Sequence, residues 1–557
     1  MRPAHEAGAQ LDDTDLVRLR AYGTSHEVAA GDILFAPGEP NENFVVIETA
    51  AVDVERPGTP DAPAALLSTH GPGQFLGELN LLTGQTPYLT ARVSQAGAVT
   101  LIDKEAFARL MREDARLSDR ILRMFVARRA YLRSGEGARS VEILGSRWCS
   151  ESSALRTWAA RQQVPHLWLD VDTTKGAALA SAVQAGSLDL PVAIALGRIE
   201  RNATPTSLAA MLGLQADHHD DTVRDVVIIG GGPAGLAAAL CSASEGLDTL
   251  LLEGKSIGGQ AAASARIENY VGFPSGIAGG ELTSRALVQA HKFGAQVSNP
   301  CAVTGLSSVD GDLSVELESG SRVLTRCVVI ASGAHYNTLP LDDWTQYENT
   351  SIFYAATELE ARACAGGPVV IVGGANSAGQ AAIFLAEAGS SVTLVLRGTD
   401  LEARMSRYLA GRVRAHPDIT LSTATSVTAL HGSRSLEAVD VQDASGTVTM
   451  LPCVGLFCFI GASPITDYLG EAARDAHGFV RTDRDLQPHD LGVMWQLMGR
   501  EPLPYETSIP GVLAVGDVRA GSVKRVAAAV GEGSAAVASV HRLLASSGHA
   551  LRRPQPA

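Results

Sequence analysis

The sequence predicts a multidomain α/β protein in which two strand–glycine–helix units are nested one inside the other. From Thr222 onward, β-branched runs alternate with glycine-opened helices, the rhythm of a doubly wound sheet. Two of these openings, at Gly230 and Gly373, follow directly on all-apolar runs of the kind that form buried parallel strands. Upstream lie two shorter blocks with other rhythms. Residues 1–135 alternate brief apolar runs with turn signals and finish in a helical pattern around Phe107 to Leu132. Residues 141–214 read as strand, helix, strand, then Pro191 and a closing helix. The polar joint Ser134 to Ser140 and the solvated run Gln215 to Asp221 separate the blocks. The remainder divides as 222–338, 339–464 and 465–545, the middle stretch being inserted into the unit that the outer two form.

At 557 residues the chain is too long for one core, and its 46% apolar content suits globular packing. The formal net charge of -15 argues against a nucleic-acid partner, which needs clustered Lys and Arg. The longest apolar stretch, Val454 to Ala462, is far short of the ~20 residues that span a bilayer, so no membrane partner is expected. A polar start without a secretory h-region and seven scattered cysteines point to the cytoplasm. No metal site is expected.

In the first unit, Val226 to Ile229 runs into Gly230-Gly231-Gly232-Pro233-Ala234-Gly235 and an Ala/Leu-rich helix. This is a G-x-G-x-x-G fingerprint in its Rossmann-like context. Gly230 permits the tight turn, Gly232 admits a pyrophosphate to the backbone, and Gly235 lets the helix pack on its strand. The helix N-terminus offers N–H donors and partial positive charge to phosphates. The next strand, Thr249 to Leu252, ends in Glu253, where an acid accepts hydrogen bonds from an adenosine ribose.

Other segments identify the dinucleotide. Gly258-Gly259-Gln260 and the stretch Ile267 to Pro274, which includes Asn269, resemble the flavin-contacting segments of low-molecular-weight thioredoxin reductases. Ala331-Ser332-Gly333-Ala334 resembles that family's A-T-G-A turn, and Val515-Gly516-Asp517 its G-D motif. The resemblance runs from about residue 222 to about residue 545. It implies FAD, with Asp517 on a ribityl hydroxyl and a homodimeric assembly. The helix opened by Lys524-Arg525-Val526 would stabilise negative charge at the flavin N1/O2 edge.

The second unit, Val369 to Val372 followed by Gly373-Gly374-Ala375-Asn376-Ser377-Ala378, resembles the family's NADPH site, with Ala375 in place of the middle glycine. The next strand ends in Leu396-Arg397-Gly398, where the family's His-Arg-Arg grips the 2′-phosphate. Arg397 alone survives, with Arg404 and Arg407 as possible helpers, so NADPH and NADH are both expected to serve.

The family's redox Cys-x-x-Cys lies in a Y-C-A-T-C run, and this chain has Tyr354-Ala355-Ala356-Thr357-Glu358 there. With Ala355 and Glu358 in place of the sulfurs, no thiolate remains to attack a disulfide. Cys453 and Cys458 are not a substitute pair. On a single strand their odd separation sets them on opposite faces, ~16 Å apart. A disulfide tolerates less than ~7 Å between Cα atoms. Both read as buried packing residues.

The N-terminal block, with Val28 to Phe35, Pro37-Gly38-Glu39 and Phe75-Leu76-Gly77-Glu78-Leu79 through Pro87, resembles cyclic-nucleotide-binding domains. In that family the acid at Glu78 bonds the ribose 2′-OH and an Arg after the Pro neutralises the phosphate. Tyr88 stands in that place, and Arg92 is ~13 Å further along a strand. The expectation is a β-roll without tight cyclic-nucleotide binding, used for assembly or another ligand. The second block resembles a thioredoxin or glutaredoxin fold through Gly145 to Ser152, Leu167 to Asp170 and Leu190-Pro191-Val192. Its Cys149-x-x-Ser152 retains one thiol, which suits mixed disulfides or is idle in a docking domain.

The expected activity is an FAD-dependent NAD(P)H oxidoreductase without a Cys-x-x-Cys relay. Its acceptor would be a small redox protein, a quinone or another small molecule. A disulfide reductase acting through Cys149 and a ligand-regulated redox sensor are the alternatives. Cys149 and Glu358 are the candidate catalytic residues, Glu358 either as a proton donor at the flavin or as a solvated acid.

Overall fold

The computed structural model describes residues 10–546, apart from 61, 84, 134, 148, 215–221, 264–266, 268, 269, 310, 349, 350, 355, 357 and 434. The N-terminal block folds as two four-stranded antiparallel sheets. One orders Thr24–Val28, Gly97–Asp103, Asn43–Ile47 and Phe75–Leu76; the other orders Ile33–Phe35, Thr90–Gln95, Ala51–Arg56 and Ala65–His70. Strand alternation buries Val52, Val54, Ala91 and Val93 between them. The helical pattern from Phe107 to Leu132 is not one helix. Lys104–Glu113 ends at Asp114, whose carboxylate accepts from Arg116 N and Leu117 N and so starts Ala115–Leu132 afresh.

Residues 141–214 form a four-stranded sheet ordered Leu167–Asp170, Val141–Gly145, Val192–Ala195, Arg198–Glu200, the first pair parallel and the others antiparallel. The sequence pattern missed two elements here. One is the helix Thr174–Ala182, capped by Thr173; the other is the hairpin joining Val192–Ala195 to Arg198–Glu200. The Leu190–Pro191 peptide is cis.

The C-terminal part builds a seven-stranded sheet. Gln296–Ser298, Thr249–Leu252, Arg224–Ile229 and Arg322–Ile330 run parallel, and Val512–Ala514 pairs parallel to the last of them. Between Tyr336 and Ala462 lies a second unit, a five-stranded parallel sheet ordered Ile352–Phe353, Gly455–Cys458, Val369–Val372, Val392–Val395, Ile419–Ser422. The two crossing segments, Ala334–Tyr336 and Ala462–Pro464, pair with each other as an antiparallel ribbon. Both glycine openings therefore sit at carboxyl ends of parallel strands, where open α/β sheets bind ligands. No described helix is long and apolar enough to cross a membrane.

Candidate functional site

The turn after Arg224–Ile229 is shaped by what its glycines exclude. Gly230 has φ +112°, and a Cβ there would lie 2.3 Å from Ala331 O. At Gly235 a Cβ would lie 1.8 Å from Gly230 O, so the helix Pro233–Ser244 packs onto its own turn only through glycine. Gly232 differs: its Cβ would meet nothing within 4 Å, leaving the backbone open at the helix entrance. Pro233 begins the helix and Ala234 is buried in its first turn.

Glu253 sits beside this turn with both carboxylate oxygens engaged. Oε2 accepts from Gly231 N at 2.7 Å, and Oε1 accepts from Lys255 N at 2.7 Å and Ser256 N at 3.2 Å. These amides hold the carboxylate in one orientation and leave about one acceptor site, on Oε2, for a ligand hydroxyl.

Three distant segments converge on the same turn. Gly259, with φ +53°, would bring a Cβ to 3.1 Å from Gly232 Cα, and the neighbouring Gln260 Nε2 donates to Ala334 O. Gly333, with φ +72°, turns the chain just after Ala331, which is buried against Gly230. Gly516, also φ +72°, would meet Ala234 Cβ at 2.8 Å and so sets Asp517 beside the first helix. Glu532 fixes this last turn, accepting from Gly516 N at 2.7 Å while pairing with Arg519 at 2.8 Å. Burial pushes the Asp517 carboxyl up from its ordinary range, opposed by Lys524, whose Nζ donates to Asp517 O. Exposed Arg525 and half-buried Val526 open the helix Val526–Ser546. Asn269 lies outside the described residues.

At the second opening, Gly373 has φ +141° and a Cβ there would approach Phe459 O to 2.4 Å. Ala375 adopts φ -97° and ψ 176°, extended backbone that alanine takes without strain. Asn376 Oδ1 accepts from Ser406 N at 2.8 Å, tying the segment around Arg404 to the helix Asn376–Glu387. Ser377 is exposed and Ala378 is buried in the helix core. Leu396, which the resemblance sets against the family's His, is also buried. Arg397 and Arg404 are exposed and make no hydrogen bond or ion pair among the described residues, whereas Arg407 pairs with Glu402 at 3.4 Å.

Cys149 is half-buried at the N-terminus of Ser150–Arg161, and its Sγ donates to Glu151 Oε2 at 3.0 Å. Its hydrogen-bond partner is thus a carboxylate and not a cation. Ser152 is fully buried, its hydroxyl accepting from Ser146 N at 3.3 Å. Glu358 begins the helix Glu358–Ala363; its side chain lies outside the described residues, as do Ala355 and Thr357. Cys453 and Cys458 do not share one strand on opposite faces as the spacing suggested. Cys453 follows Val448–Pro452, Cys458 ends Gly455–Cys458, and both are buried in the same apolar cluster. Burial pushes both thiols up to about 12.

Three features were not read from the sequence. The Tyr336 and Tyr354 rings stack with centroids 5.3 Å apart and planes 7° from parallel, beside the ribbon that joins the two units. Tyr354 also donates to Glu348 Oε1 at 2.5 Å and accepts from Trp344 Nε1 at 3.1 Å. Finally, Asn299 links the 141–214 block to Glu253, accepting from Trp158 and donating to Glu253 O at 2.7 Å. Only the identities of Tyr336, at the end of one ribbon strand, and Tyr354 hinted at any of this.

Residues 224–533 match the family described as pyridine nucleotide-disulphide oxidoreductase, and residues 25–114 match the cyclic nucleotide-binding domain. The thioredoxin reductase of Treponema pallidum is 30% identical over 323 residues, covering 57% of this chain and 95% of its own length. That of Mycolicibacterium smegmatis is 31% identical over 333 residues, covering 58% and 97%. The crystal structure of Lactococcus lactis thioredoxin reductase aligns with a TM-score of 0.46 at 28% identity, covering 58% of this chain and 99% of that one.

Proposed function

The chain belongs to the pyridine nucleotide-disulphide oxidoreductase family, FAD-dependent enzymes that use NAD(P)H, and from that premise we propose an NAD(P)H oxidoreductase whose acceptor meets the flavin without a Cys-x-x-Cys relay. The observation that carries the reading is the convergence of Gly259, Ala331 and Gly516 on the open turn at Gly232. The residues fit an FAD adenylate half: unobstructed backbone at Gly232 for the pyrophosphate and an oriented Glu253 carboxylate for the ribose. Bound there, FAD would take hydride from the nicotinamide and pass the electrons on.

The chain's own residues do the positioning. Asp517 would hold a ribityl hydroxyl, with Gly516 anchored by Glu532. Gly259, Gln260, Gly333, Arg525 and Val526 would line the flavin half, and Gly373, Ala375, Asn376, Ser377 and Ala378 the nicotinamide dinucleotide. Exposed Arg397, aided by Arg404, would meet a 2′-phosphate. Four buried thiols, Cys327, Cys364, Cys453 and Cys458, have pKa values raised to about 11 or 12, which keeps them protonated and poor redox relays. Cys149 sits about 14 Å along its helix from Trp158, the nearest described residue of that helix bonded to the flavin unit, which favours direct acceptors over a Cys149 route. A homodimer, a cytoplasmic location and a small redox protein or small-molecule acceptor belong to the same reading, as does a thioredoxin-like fold for residues 141–214.

Purified protein is therefore expected to carry one FAD per chain, to be reduced anaerobically by NADPH or NADH, and to turn over with quinones or ferricyanide. A protein that takes up no FAD on reconstitution would refute the reading.

A further inference from the structure

The N-terminal β-roll encloses a cavity of about 330 Å³, at the small end of the range for ligand sites, roughly 300–1,000 Å³. Phe35, Val54, Leu76, Leu89 and Phe125 give it apolar wall, Ser68, Thr69, His70, Gln74 and Asn80 bring polar groups to it, and the helix Ala115–Leu132 contributes Arg128 and Arg129. Among the described residues, the only acidic side chain on the lining is Glu78. Its Oε1 accepts from Arg128 Nη1 at 2.8 Å, and both side chains are largely buried. The acid that would take a ribose hydroxyl is thus committed to an internal ion pair.

Arg129 is left as an excess cation at the cavity edge. It is 6% exposed, and among the described residues its hydrogen-bond acceptor is a neutral one, Gln162 O at 2.9 Å from Nη2. Burial lowers its pKa to about 10, so it remains charged at neutral pH. Tyr88 is 4% exposed, lines the cavity, and its hydroxyl has no hydrogen-bond partner among the described residues. The Gln85 side chain approaches the hydroxyl and opposes the effect of burial, but the two do not meet in hydrogen-bonding geometry. Burial raises the phenol above its ordinary range, so it stays protonated and is available to donate. An orphan buried donor beside an uncompensated buried cation costs free energy that an anionic acceptor would recover.

We propose that this cavity binds a small aromatic carboxylate, its ring against Phe35 and Phe125 and its charge at Tyr88 and Arg129, and that it does not take a cyclic nucleotide. Aromatic walls and a single excess cation match a monoanion with an apolar body. The polar ribose of a cyclic nucleotide finds its acid already paired.

Isothermal titration calorimetry of the full-length, FAD-loaded protein with 1-naphthoate, 1-naphthamide and cyclic AMP tests this. Naphthoate is expected to bind at least tenfold more tightly than its amide, with no measurable binding of cyclic AMP. Tyr88→Phe, which keeps the ring and removes an unpartnered hydroxyl, should weaken naphthoate about tenfold without lowering the melting temperature of the ligand-free protein. The proposal is overturned if neither naphthalene probe binds, if acid and amide bind alike, if cyclic AMP binds more tightly than the acid, or if Tyr88→Phe leaves naphthoate affinity intact.

Discussion

Trp158 Nε1 donates to Asn299 Oδ1 at 2.9 Å, and Asn299 Nδ2 donates in turn to the main-chain oxygen of Glu253 at 2.7 Å. Gln162 Nε2 donates to the same Oδ1. One buried amide therefore couples the 141–214 block to the segment that carries the proposed ribose acid. Asn299→Ala would strand the buried Trp158 and Gln162 donors, at about 2–3 kcal/mol. Denaturant unfolding should register that loss, and the purified variant should carry less FAD than wild type. A variant with wild-type stability and full FAD would show that the junction is not coupled to the site.

Glu253 is expected to act through orientation as well as charge. Glu253→Gln keeps one acceptor oxygen and should lower FAD affinity about tenfold. Glu253→Ala removes the partners of Gly231 N, Lys255 N and Ser256 N and should yield largely cofactor-free protein. Flavin absorbance per mole of purified chain, followed by FAD titration, measures both.

Coenzyme preference should be slight and should rest on Arg397. With no protein partner to pull it away among the described residues, this guanidinium is available to a 2′-phosphate, while Leu396 is packed inside and Gly398 offers nothing. Arg397→Ala is expected to raise KM for NADPH about fivefold to tenfold and to leave KM for NADH unchanged. A strong NADPH preference surviving in Arg397→Ala would place the phosphate elsewhere.

Acid should weaken the fold through buried neutral histidines. Burial, aided by Arg128, lowers the His70 pKa from 6.5 to about 4, and burial lowers that of His291 to about 4 as well. As pH falls below 6.5 the unfolded chain takes up protons that the folded chain refuses until about pH 4. The stability is present above pH 6.5 and is lost across that window, by about 3 kcal/mol for His70. Urea midpoints at pH 7 and pH 5 should separate in wild type and separate less in His70→Gln.

Local rules carried the glycine turns and the nested organisation. Gly230, Gly235 and Gly373 are forced by approaches of less than 2.5 Å to backbone oxygens, and a strand–glycine–helix pattern announces such turns. What stayed hidden depends on long-range partners. Nothing local tells that Glu78 will pair with Arg128, fifty residues on, or that Glu532 will hold Gly516. The hairpin at Leu196–Gly197 places leucine at φ +53°, a position where Asn or Gly is the usual signal. The opposite-face reading of Cys453 and Cys458 failed because the chain leaves its strand at Pro452, which ends the period-2 alternation before the second cysteine.

Electron flow is the last expectation. The resemblance of Tyr354 to Glu358 to the family's Y-C-A-T-C run implies Ala355 and Glu358 in place of its dithiol, and Cys149 lies at the end of its helix remote from the Gln162–Asn299 junction. The bonds of Trp158, Arg161 and Gln162 hold the 141–214 block at that junction, so a swing of the block that carried Cys149 toward the flavin would break them together. Disulfide-form thioredoxin should therefore be turned over negligibly, while quinones and ferricyanide support steady NAD(P)H oxidation. Cys149→Ser should leave quinone turnover within twofold of wild type, because the thiol is not on the path. Glu358→Gln separates two roles for that acid: a drop of tenfold or more in quinone kcat with flavin reduction intact marks a proton donor, and an unchanged rate marks a solvated side chain. Robust thioredoxin reduction that disappears in Cys149→Ser would move the redox centre to Cys149 and reject direct acceptor access to the flavin.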